Sequence, residues 1–225
     1  MRFVRHMRLM RCQTVAAALL LVTCCAGSAN ATVIISNLNG NDQNASTLVG
    51  NLLRSKALGF TLPAAGQYQL DSVVLRLDVG DATRTIAAGI YGSAAGVPSG
   101  SALVTFTIPV FTTGIQNYTL LPDATFLLQP LTTYFLVAYG TSPGSSSSYI
   151  DWLGNFSPVT PTGLATFAGA FADNSGAVTV PPTVASSVIN SFAINATDAS
   201  VPEPSTLSMM ALFALSAGAV RRRRP

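Results

Sequence analysis

Hydrophobic and polar residues alternate along much of the chain. In the segment QLDSVVLRLDVG, the apolar residues Val73, Leu75, Leu77 and Val79 fall on one face of an extended strand. The residues between them, Val74, Arg76 and Asp78, fall on the other. Successive side chains of a strand point to opposite faces of its sheet, so this period of two predicts a half-buried β-strand.

Eight further segments have the composition of strands, and they are separated by segments rich in glycine, proline and serine. They are TVIISN (32–37), RTIAAGIYG (84–92), ALVTFTIPV (102–110), NYTLL (117–121), TTYFLVAYG (132–140), SSYIDWLG (147–154), LATFAGAF (164–171) and SVINSFAIN (187–195). GSAAGVPSGS (92–101) and GTSPGSSSS (140–148) are predicted turns. Outside the terminal segments no stretch keeps a 3.6-residue apolar period. The pattern predicts an all-β fold, a single antiparallel β-sandwich of jelly-roll type over residues 32–200.

The first 31 residues have the three parts of a secretory signal peptide. A basic stretch precedes the apolar run VAAALLLV, which predicts a short signal helix, and Ala29 and Ala31 provide the small residues of a cleavage site. We therefore expect export by the Sec machinery and cleavage after Ala31. A lipoprotein signal with Cys24 as the acylated residue is the alternative, but Thr23 fits poorly before it.

Removal of this segment changes what the composition means. The formal charge is +3, yet residues 32–200 contain four cations against eight aspartates, a net charge of −4. An acidic domain with scattered cations has no electrostatic footprint for nucleic acid. All three cysteines precede Ala31, so the exported domain must be stabilised by core burial without disulfides.

The last 25 residues combine an extended motif, an apolar segment and a basic cluster. The motif consists of Val201, Pro202, Glu203, Pro204, Ser205 and Thr206. The basic cluster consists of Arg221, Arg222, Arg223 and Arg224. A helix over 207–220 would be roughly 21 Å long, shorter than the roughly 30 Å hydrocarbon core, so we expect transient insertion into the cytoplasmic membrane. The arginine cluster would act as a stop-transfer signal, because arginine-rich segments resist translocation.

These three features, in this order over residues 201–225, resemble the PEP-CTERM sorting signal of Gram-negative bacteria. The resemblance implies recognition by the membrane protease-transpeptidase exosortase, removal of the tail, and delivery to the cell surface or extracellular matrix. It also implies a setting in which extracellular polysaccharide is often made. A simple C-terminal membrane anchor is the alternative.

Three segments between residues 56 and 140 carry a second resemblance. They are GFTLPAAGQYQLDSVVLRLD, GIYGSAAGVPSGSAL and LLQPLTTYFLVAYG. Together they are similar to the choice-of-anchor R type of exported bacterial β-domain. That family implies a scaffold and a location, and it brings no catalytic residues.

Missing residue types restrict the chemistry of residues 32–200. His6 is the only histidine of the chain and Glu203 the only glutamate, which removes histidine-based acid–base catalysis, nucleophilic triads and common zinc sites. The segment GTSPG matches the G-x-S-x-G elbow of hydrolases at Ser142, but Pro143 has no N–H for an oxyanion, so we interpret it as a turn. We expect a protein that is not an enzyme.

Asp151, with Tyr149 and Trp152, forms the strongest candidate ligand-binding group. Aromatic faces stack on sugars, and a carboxylate accepts hydrogen bonds from hydroxyl groups. In a strand Tyr149 and Asp151 share one face while Trp152 points to the other, so a core position for Trp152 is the favoured alternative. Because paired aspartates can hydrolyse glycosides, an Asp-based glycoside hydrolase is a distant third hypothesis.

Aspartates in turns are weak candidates for calcium ligands. Asp78 and Asp81 flank Gly80 at a predicted strand end, where carboxylate oxygens suit a structural calcium ion. Asp42 lies in the polar segment NLNGNDQNAST (37–47), which we interpret as a loop. Solvated turns are the favoured interpretation, so we expect no cofactor.

The leading hypothesis is a non-enzymatic exported protein that exosortase sorts to the cell envelope or matrix, with a structural or interaction role in exopolysaccharide or biofilm. A carbohydrate-binding module on the cell surface is the alternative.

Overall fold

The computed structural model describes residues 31–38, 42, 44–64, 66–155, 159–176 and 178–199, within a compact unit that runs from Ala31 to Ala199. The predicted signal helix, Ala29, the sorting motif, the helix over 207–220 and the arginine cluster lie outside the described residues. All regular elements of the described ranges are strands. No helix in these ranges has the length and apolar character to cross a membrane.

Fifteen strands follow one another along the described part of the chain. They are β1 Thr32–Ser36, β2 Asn44–Val49, β3 Ser55–Thr61, β4 Tyr68–Val79, β5 Ile86–Ala94, β6 Val97–Thr107, β7 Gly114–Pro122, β8 Leu127–Leu128, β9 Thr133–Gly140, β10 Ile150–Asn155, β11 Thr162–Gly163, β12 Thr166–Asp173, β13 Val184–Ala185, β14 Ile189–Asn190 and β15 Phe192–Asp198.

All strand pairs in the described part of the chain are antiparallel. The main path runs β11-β1-β15-β4-β7-β6-β5-β9-β3-β12-β13. Beside this path, β10 pairs with β4, β2 and β14, and β8 pairs with β4. Only two residue pairs join β6 to β7, Phe106 with Pro122 and Thr107 with Leu121. This short join links the two halves of the path.

The two halves of the path enclose one hydrophobic core. Leu75 and Leu77 of β4 are fully buried in the same cluster as Phe60 of β3 and Leu136 of β9. Since β4 is distant from β3 and β9 in the strand order, the sheet must curl so that its halves face each other. This confirms the predicted all-β, antiparallel sandwich-like fold.

Strand β9 lacks alternation because both of its faces are buried. Leu136 enters the main core, while Phe135 and Val137 belong to a second cluster on the opposite face. There the rings of Phe135 and Phe171 meet edge to face with centroids 5.5 Å apart. A strand buried on both faces reads as a continuous apolar run, as TTYFLVAYG does.

Two predicted connections differ from the structure. The polar segment 37–47 is not entirely a loop, because β2 begins at Asn44 and pairs with β10. The predicted turn 92–101 reduces to Ala95 and Gly96, both with positive φ, between β5 and β6. The longer predicted turn is wrong, since the residues on either side pair as strands, Ala94 with Val97 and Ser93 with Pro98.

Candidate functional site

An open cleft of about 400 Å³ lies between the β2–β3 connection and the serine-rich loop before β10. Its lining residues are Thr47, Gly50, Asn51, Leu52, Arg54, Ser145, Ser146, Tyr149 and Asp151. Two of the three residues predicted as a ligand-binding group, Tyr149 and Asp151, therefore line the same cavity.

Strand register aligns three polar residues on one face of the sheet, and two of them, Thr47 and Asp151, line this cleft. In β10, Asp151 is paired with Thr47 of β2 on one side and with Asp78 of β4 on the other. Residues directly opposite each other in neighbouring antiparallel strands share a face of the sheet. The face that carries these three residues is the outer one, because the alternate residues Leu77 and Trp152 are in the core.

Backbone hydrogen bonds hold the two walls of the cleft together. Gly144 N–H donates to the carbonyl oxygen of Gly50 at 2.9 Å, and Gly140 N–H donates to the carbonyl oxygen of Arg54 at 3.1 Å. Both glycines lie against neighbouring backbone. A Cβ added at Gly144 would be 2.0 Å from the carbonyl oxygen of Ser148, and a Cβ added at Gly140 would be 2.3 Å from the carbonyl oxygen of Leu48. These two positions need glycine because the wall segments pack backbone against backbone.

Asp81, which lies just after the end of β4, anchors the serine-rich loop. Its carboxylate accepts hydrogen bonds from Ser148 Oγ at 2.5 Å, from Thr83 Oγ1 at 2.7 Å and N at 2.9 Å, and from Arg84 Nε at 3.2 Å. These hydrogen bonds, that from Ser148 above all, hold the pKa of Asp81 well below its usual range. Both oxygens already have donors and a cation beside them, so Asp81 does not fit the role of calcium ligand suggested with Asp78.

Arg84 completes this anchor. Its Nη1 donates to the carbonyl oxygen of Pro143 at 2.6 Å, and its Nε also donates to Ser148 Oγ at 2.7 Å. Ser142 Oγ accepts a hydrogen bond from the N–H of Thr85 at 3.1 Å. The serine of the G-x-S-x-G match is therefore part of a hydrogen-bonded loop that fixes one wall of the cleft.

Tyr149 forms an aromatic wall of the cleft. Its hydroxyl donates to Asp78 Oδ2 at 3.3 Å, and its ring lies over Gly80, where an added Cβ would be 2.4 Å from ring carbon Cε1. The negative charge of Asp78 raises the pKa of Tyr149, so the phenol keeps its proton and remains a donor. The ring is half-exposed, which leaves part of it for a ligand.

Asp151 and Arg54 provide the charged groups of the cleft. Burial raises the pKa of Asp151, and the nearby charge of Asp78 adds to this, whereas a hydrogen bond from Thr47 and the charge of Arg54 lower it. Asp151 Oδ1 and Arg54 Nε are both buried atoms without a hydrogen-bond partner. Two residues in the wall of the cleft thus each have one buried polar atom that no group of the described residues satisfies.

Trp152 does not belong to the site. Its side chain is 0 % exposed in the main core, and its Nε1–H donates to the carbonyl oxygen of Ser191 at 2.9 Å. The proposed ligand-binding role of Trp152 is therefore wrong, because the residue points to the opposite face of β10 from Asp151.

Asp42 also has a partner within the protein. Arg76 donates two hydrogen bonds to its carboxylate, from Nε to Oδ1 at 2.6 Å and from Nη2 to Oδ2 at 2.5 Å. Such a two-point pairing uses both carboxylate oxygens. Among the described residues no three histidine, cysteine, aspartate or glutamate side chains form a group that could hold a metal ion.

Sequence reasoning missed Arg54 and Thr47 as site residues. Arg54 is one of only four cations between residues 32 and 200, and this scarcity is the one signal that singles it out. Thr47 has no local signal, because its position beside Asp151 depends on the pairing of β2 with β10.

The described domain is an all-β sandwich with an open polar cleft on the outer face of β10. Residues 200–224 match the family described as the PEP-CTERM protein-sorting motif. This confirms the sorting-signal prediction for the C-terminal segment. The protein is accordingly exported and directed by exosortase toward the cell envelope or surface.

The domain is similar to a solved structure that contains the cysteine protease and lectin-like domains of Cwp84, a surface layer associated protein of Clostridium difficile. The TM-score is 0.51 at 11% sequence identity, over 77% of this chain and 37% of that chain. At this identity the likeness shows the fold alone, and the chain spans little more than a third of the matched structure. A comparison with curated protein sequences finds no match. The all-β fold is compatible with the resemblance of residues 56–140 to an exported β-domain.

Proposed function

We propose that the protein is a non-enzymatic component of the cell surface or extracellular matrix whose polar cleft binds saccharide units of an exopolysaccharide. The observation that carries this proposal is the lining of the cleft. Asp151 is an acceptor, Arg54 a donor and Tyr149 a half-exposed ring, and these are the groups that sugar hydroxyls and pyranose faces contact. The volume of about 400 Å³ is in the range of small-molecule sites, roughly 300–1,000 Å³.

The sorting signal supports the setting of this proposal. A protein directed toward the cell surface meets the polysaccharides that surround the cell. The similar solved structure includes a lectin-like domain of a surface layer associated protein, and a saccharide-binding domain at a cell surface would suit the same kind of location.

The residue types of the domain support a role without catalysis. Residues 32–200 contain no histidine, cysteine or glutamate, so binding by aspartate, arginine and tyrosine is the chemistry that the cleft offers. Asp78 and Asp151 are neighbours on one face of the sheet. A glycoside hydrolase needs its two carboxyl groups on either side of the glycosidic bond, and the arrangement of this pair does not favour that alternative.

We further propose that residues 207–220 insert transiently into the cytoplasmic membrane and that the cluster Arg221–Arg224 holds the tail on the cytoplasmic side until exosortase removes it. Mass spectrometry of the exported protein from an exosortase-competent host should find a C-terminus without the arginine cluster. A Glu203→Ala variant should keep the tail and stay with the membrane. An exported protein that retains its arginines would contradict this proposal and favour a permanent anchor.

A glycan array tests the binding proposal directly. The exported protein should bind at least one class of oligosaccharide with a Kd in the millimolar range or tighter, and Arg54→Ala should weaken that binding about tenfold, or roughly 1.4 kcal/mol. Asp123→Asn is the matched control, since Asp123 is a carboxylate outside the cleft whose partners are Thr105 and Thr107. Absence of binding to every glycan at roughly 10 mM would refute the proposal.

A further inference from the structure

Two residues of the cleft each have a buried polar atom without a partner, and these atoms have opposite hydrogen-bonding character. Among the described residues, three buried side-chain nitrogen or oxygen atoms have no partner: Arg54 Nε, Asp151 Oδ1 and Ser191 Oγ. Two of these three belong to residues that line the same cavity, Arg54 and Asp151. Buried polar groups in proteins nearly always have partners, so two incompletely satisfied side chains in the wall of one cleft point to partners that water or a ligand supplies.

Arg54 and Asp151 do not satisfy each other. Neither takes part in the ion pairs found in the described ranges, which join Arg76 to Asp42 and Arg84 to Asp81. Nevertheless the positive charge of Arg54 affects Asp151. The two side chains thus line the same cleft without forming an ion pair with each other.

The hydrogen-bonding character of the two side chains defines which ligand group can satisfy both of them. Arg54 Nε can only donate, and an ionised Asp151 can only accept. Neighbouring hydroxyl groups do both, since each has one O–H donor and two acceptor lone pairs. A carboxylate ligand would match Arg54 and leave Asp151 without a donor. An ammonium ligand would match Asp151 and leave Arg54 without an acceptor.

The charges around the cleft act against acidic ligands. Among the described residues that line the cavity, Asp151 is the one carboxylate and Arg54 the one cation, and Asp78 adds a second carboxylate as the direct neighbour of Asp151 across β4 and β10. A uronic acid placed here would bring a third carboxylate beside two others. Like charges at short range in a partly buried site repel each other and suppress the wrong partner.

We propose that the cleft selects neutral sugars with neighbouring hydroxyl groups and discriminates against uronic acids, with the Arg54 guanidinium donating to one hydroxyl oxygen and the Asp151 carboxylate accepting from another. This inference rests on the proposed function, namely that the cleft binds saccharides. Tyr149 supplies the stacking wall, and Gly80 together with Asp78 holds its ring in place.

Calorimetric titration of the exported protein with two trisaccharides of equal length tests this selectivity. Cellotriose is the neutral probe and trigalacturonic acid the acidic one, both at moderate salt and neutral pH. We expect cellotriose to bind at least tenfold more tightly. Asp151→Asn should weaken cellotriose binding about fivefold and reduce the discrimination against trigalacturonic acid, because it removes one of the two repelling charges.

Two further variants separate selectivity from folding. Arg54→Lys keeps the charge but lacks the Nε donor, so cellotriose binding should fall while circular dichroism stays unchanged. Asp123→Asn should change neither affinity nor selectivity. Equal or tighter binding of trigalacturonic acid, or a selectivity that survives Asp151→Asn, would overturn this inference and leave saccharide binding intact. Failure of both probes, together with an array without hits, would instead remove the proposed function.

Discussion

Asp81 and Asp151 both lie beside the serine-rich loop and have opposite environments. Asp81 accepts hydrogen bonds from Ser148, Thr83 and Arg84, and its pKa is lowered. Asp151 is half-buried with one oxygen unpartnered, and its pKa is raised. The first carboxylate is stabilised by its surroundings and the second is not.

This difference distinguishes a carboxylate that stabilises the fold from a carboxylate that is available to bind a ligand. A carboxylate whose oxygens all have donors fixes the loop but has nothing left for a ligand. A carboxylate with an unused buried oxygen lowers the stability of the free protein, because desolvation is not offset. Such a group is a candidate for function, since its missing partner can come from a ligand.

Lys56 extends this comparison to a buried cation, and it has the largest expected effect. It is 2 % exposed, its Nζ donates to Ser186 Oγ at 2.5 Å, and burial lowers its pKa to about 8. The folded protein releases this proton near pH 8, whereas the unfolded chain keeps it to about 10.5. Stability should therefore rise with pH across this window, by on the order of 3 kcal/mol in total.

Urea denaturation between pH 7.5 and 9.5, below the range in which tyrosines titrate, measures this effect. Lys56→Met should raise the free energy of unfolding at pH 7.5 and flatten the slope. Lys56→Arg is the control that keeps a buried charge across the whole window. If the free energy of unfolding changes equally with pH in the unmodified protein and in Lys56→Met, the buried amine is not the source of the pH dependence.

Gly144→Ala tests whether loop position underlies the site. The new Cβ would lie 2.0 Å from the backbone oxygen of Ser148 and 3.0 Å from Val49 Cγ1, so the loop must move. We expect a loss of about 1–3 kcal/mol in the free energy of unfolding, the usual cost of overpacking, and loss of cellotriose binding. Gly92→Ala is the matched control, because the nearest atom to its Cβ is 4.0 Å away. Unchanged binding in Gly144→Ala would show that the cleft does not depend on this wall.

How much could be predicted depends on whether a feature is local. β4 alternates, and its pattern predicted it. β3 did not stand out, because all but its last residue are buried and its segment SKALGFT mixes Lys56 and Gly59 with apolar residues. Gly59 is needed there since an added Cβ would be 2.5 Å from the ring of Phe135, a contact that depends on the pairing of β3 with β9.

The site was predictable only in part for the same reason. Tyr149 and Asp151 stood out by residue type and shared a face, and alternation favoured a core position for Trp152. Arg54 and Thr47 reach Asp151 through strand pairing and loop packing, which no local pattern encodes.

Asp81→Asn removes the carboxylate whose two oxygens both accept hydrogen bonds. Asn keeps the size of the side chain but loses the charge that Arg84 faces, so we expect a lower free energy of unfolding at neutral pH. Because the pKa of Asp81 is lowered in the folded protein, its contribution is fully present above the unfolded value of about 4, shrinks as the pH falls below that value, and is lost only below the folded pKa. Thermal denaturation from pH 7 to pH 3 should show the two proteins converging. A constant difference would mean that the loss is steric.

Asp151→Asn should have the smallest effect on stability, and with the opposite sign. The raised pKa means that ionisation costs the folded protein stability above the folded pKa, and that this cost is absent at low pH. The variant should therefore be more stable at pH 7, by less than about 1 kcal/mol because the carboxylate is partly exposed and screened, and equally stable near pH 3. The same substitution should weaken the binding of cellotriose. If Asp151 is kept without a partner in order to bind a ligand, its replacement should raise stability and weaken ligand binding together. A loss of stability at pH 7 would instead show that Asp151, like Asp81, stabilises the fold.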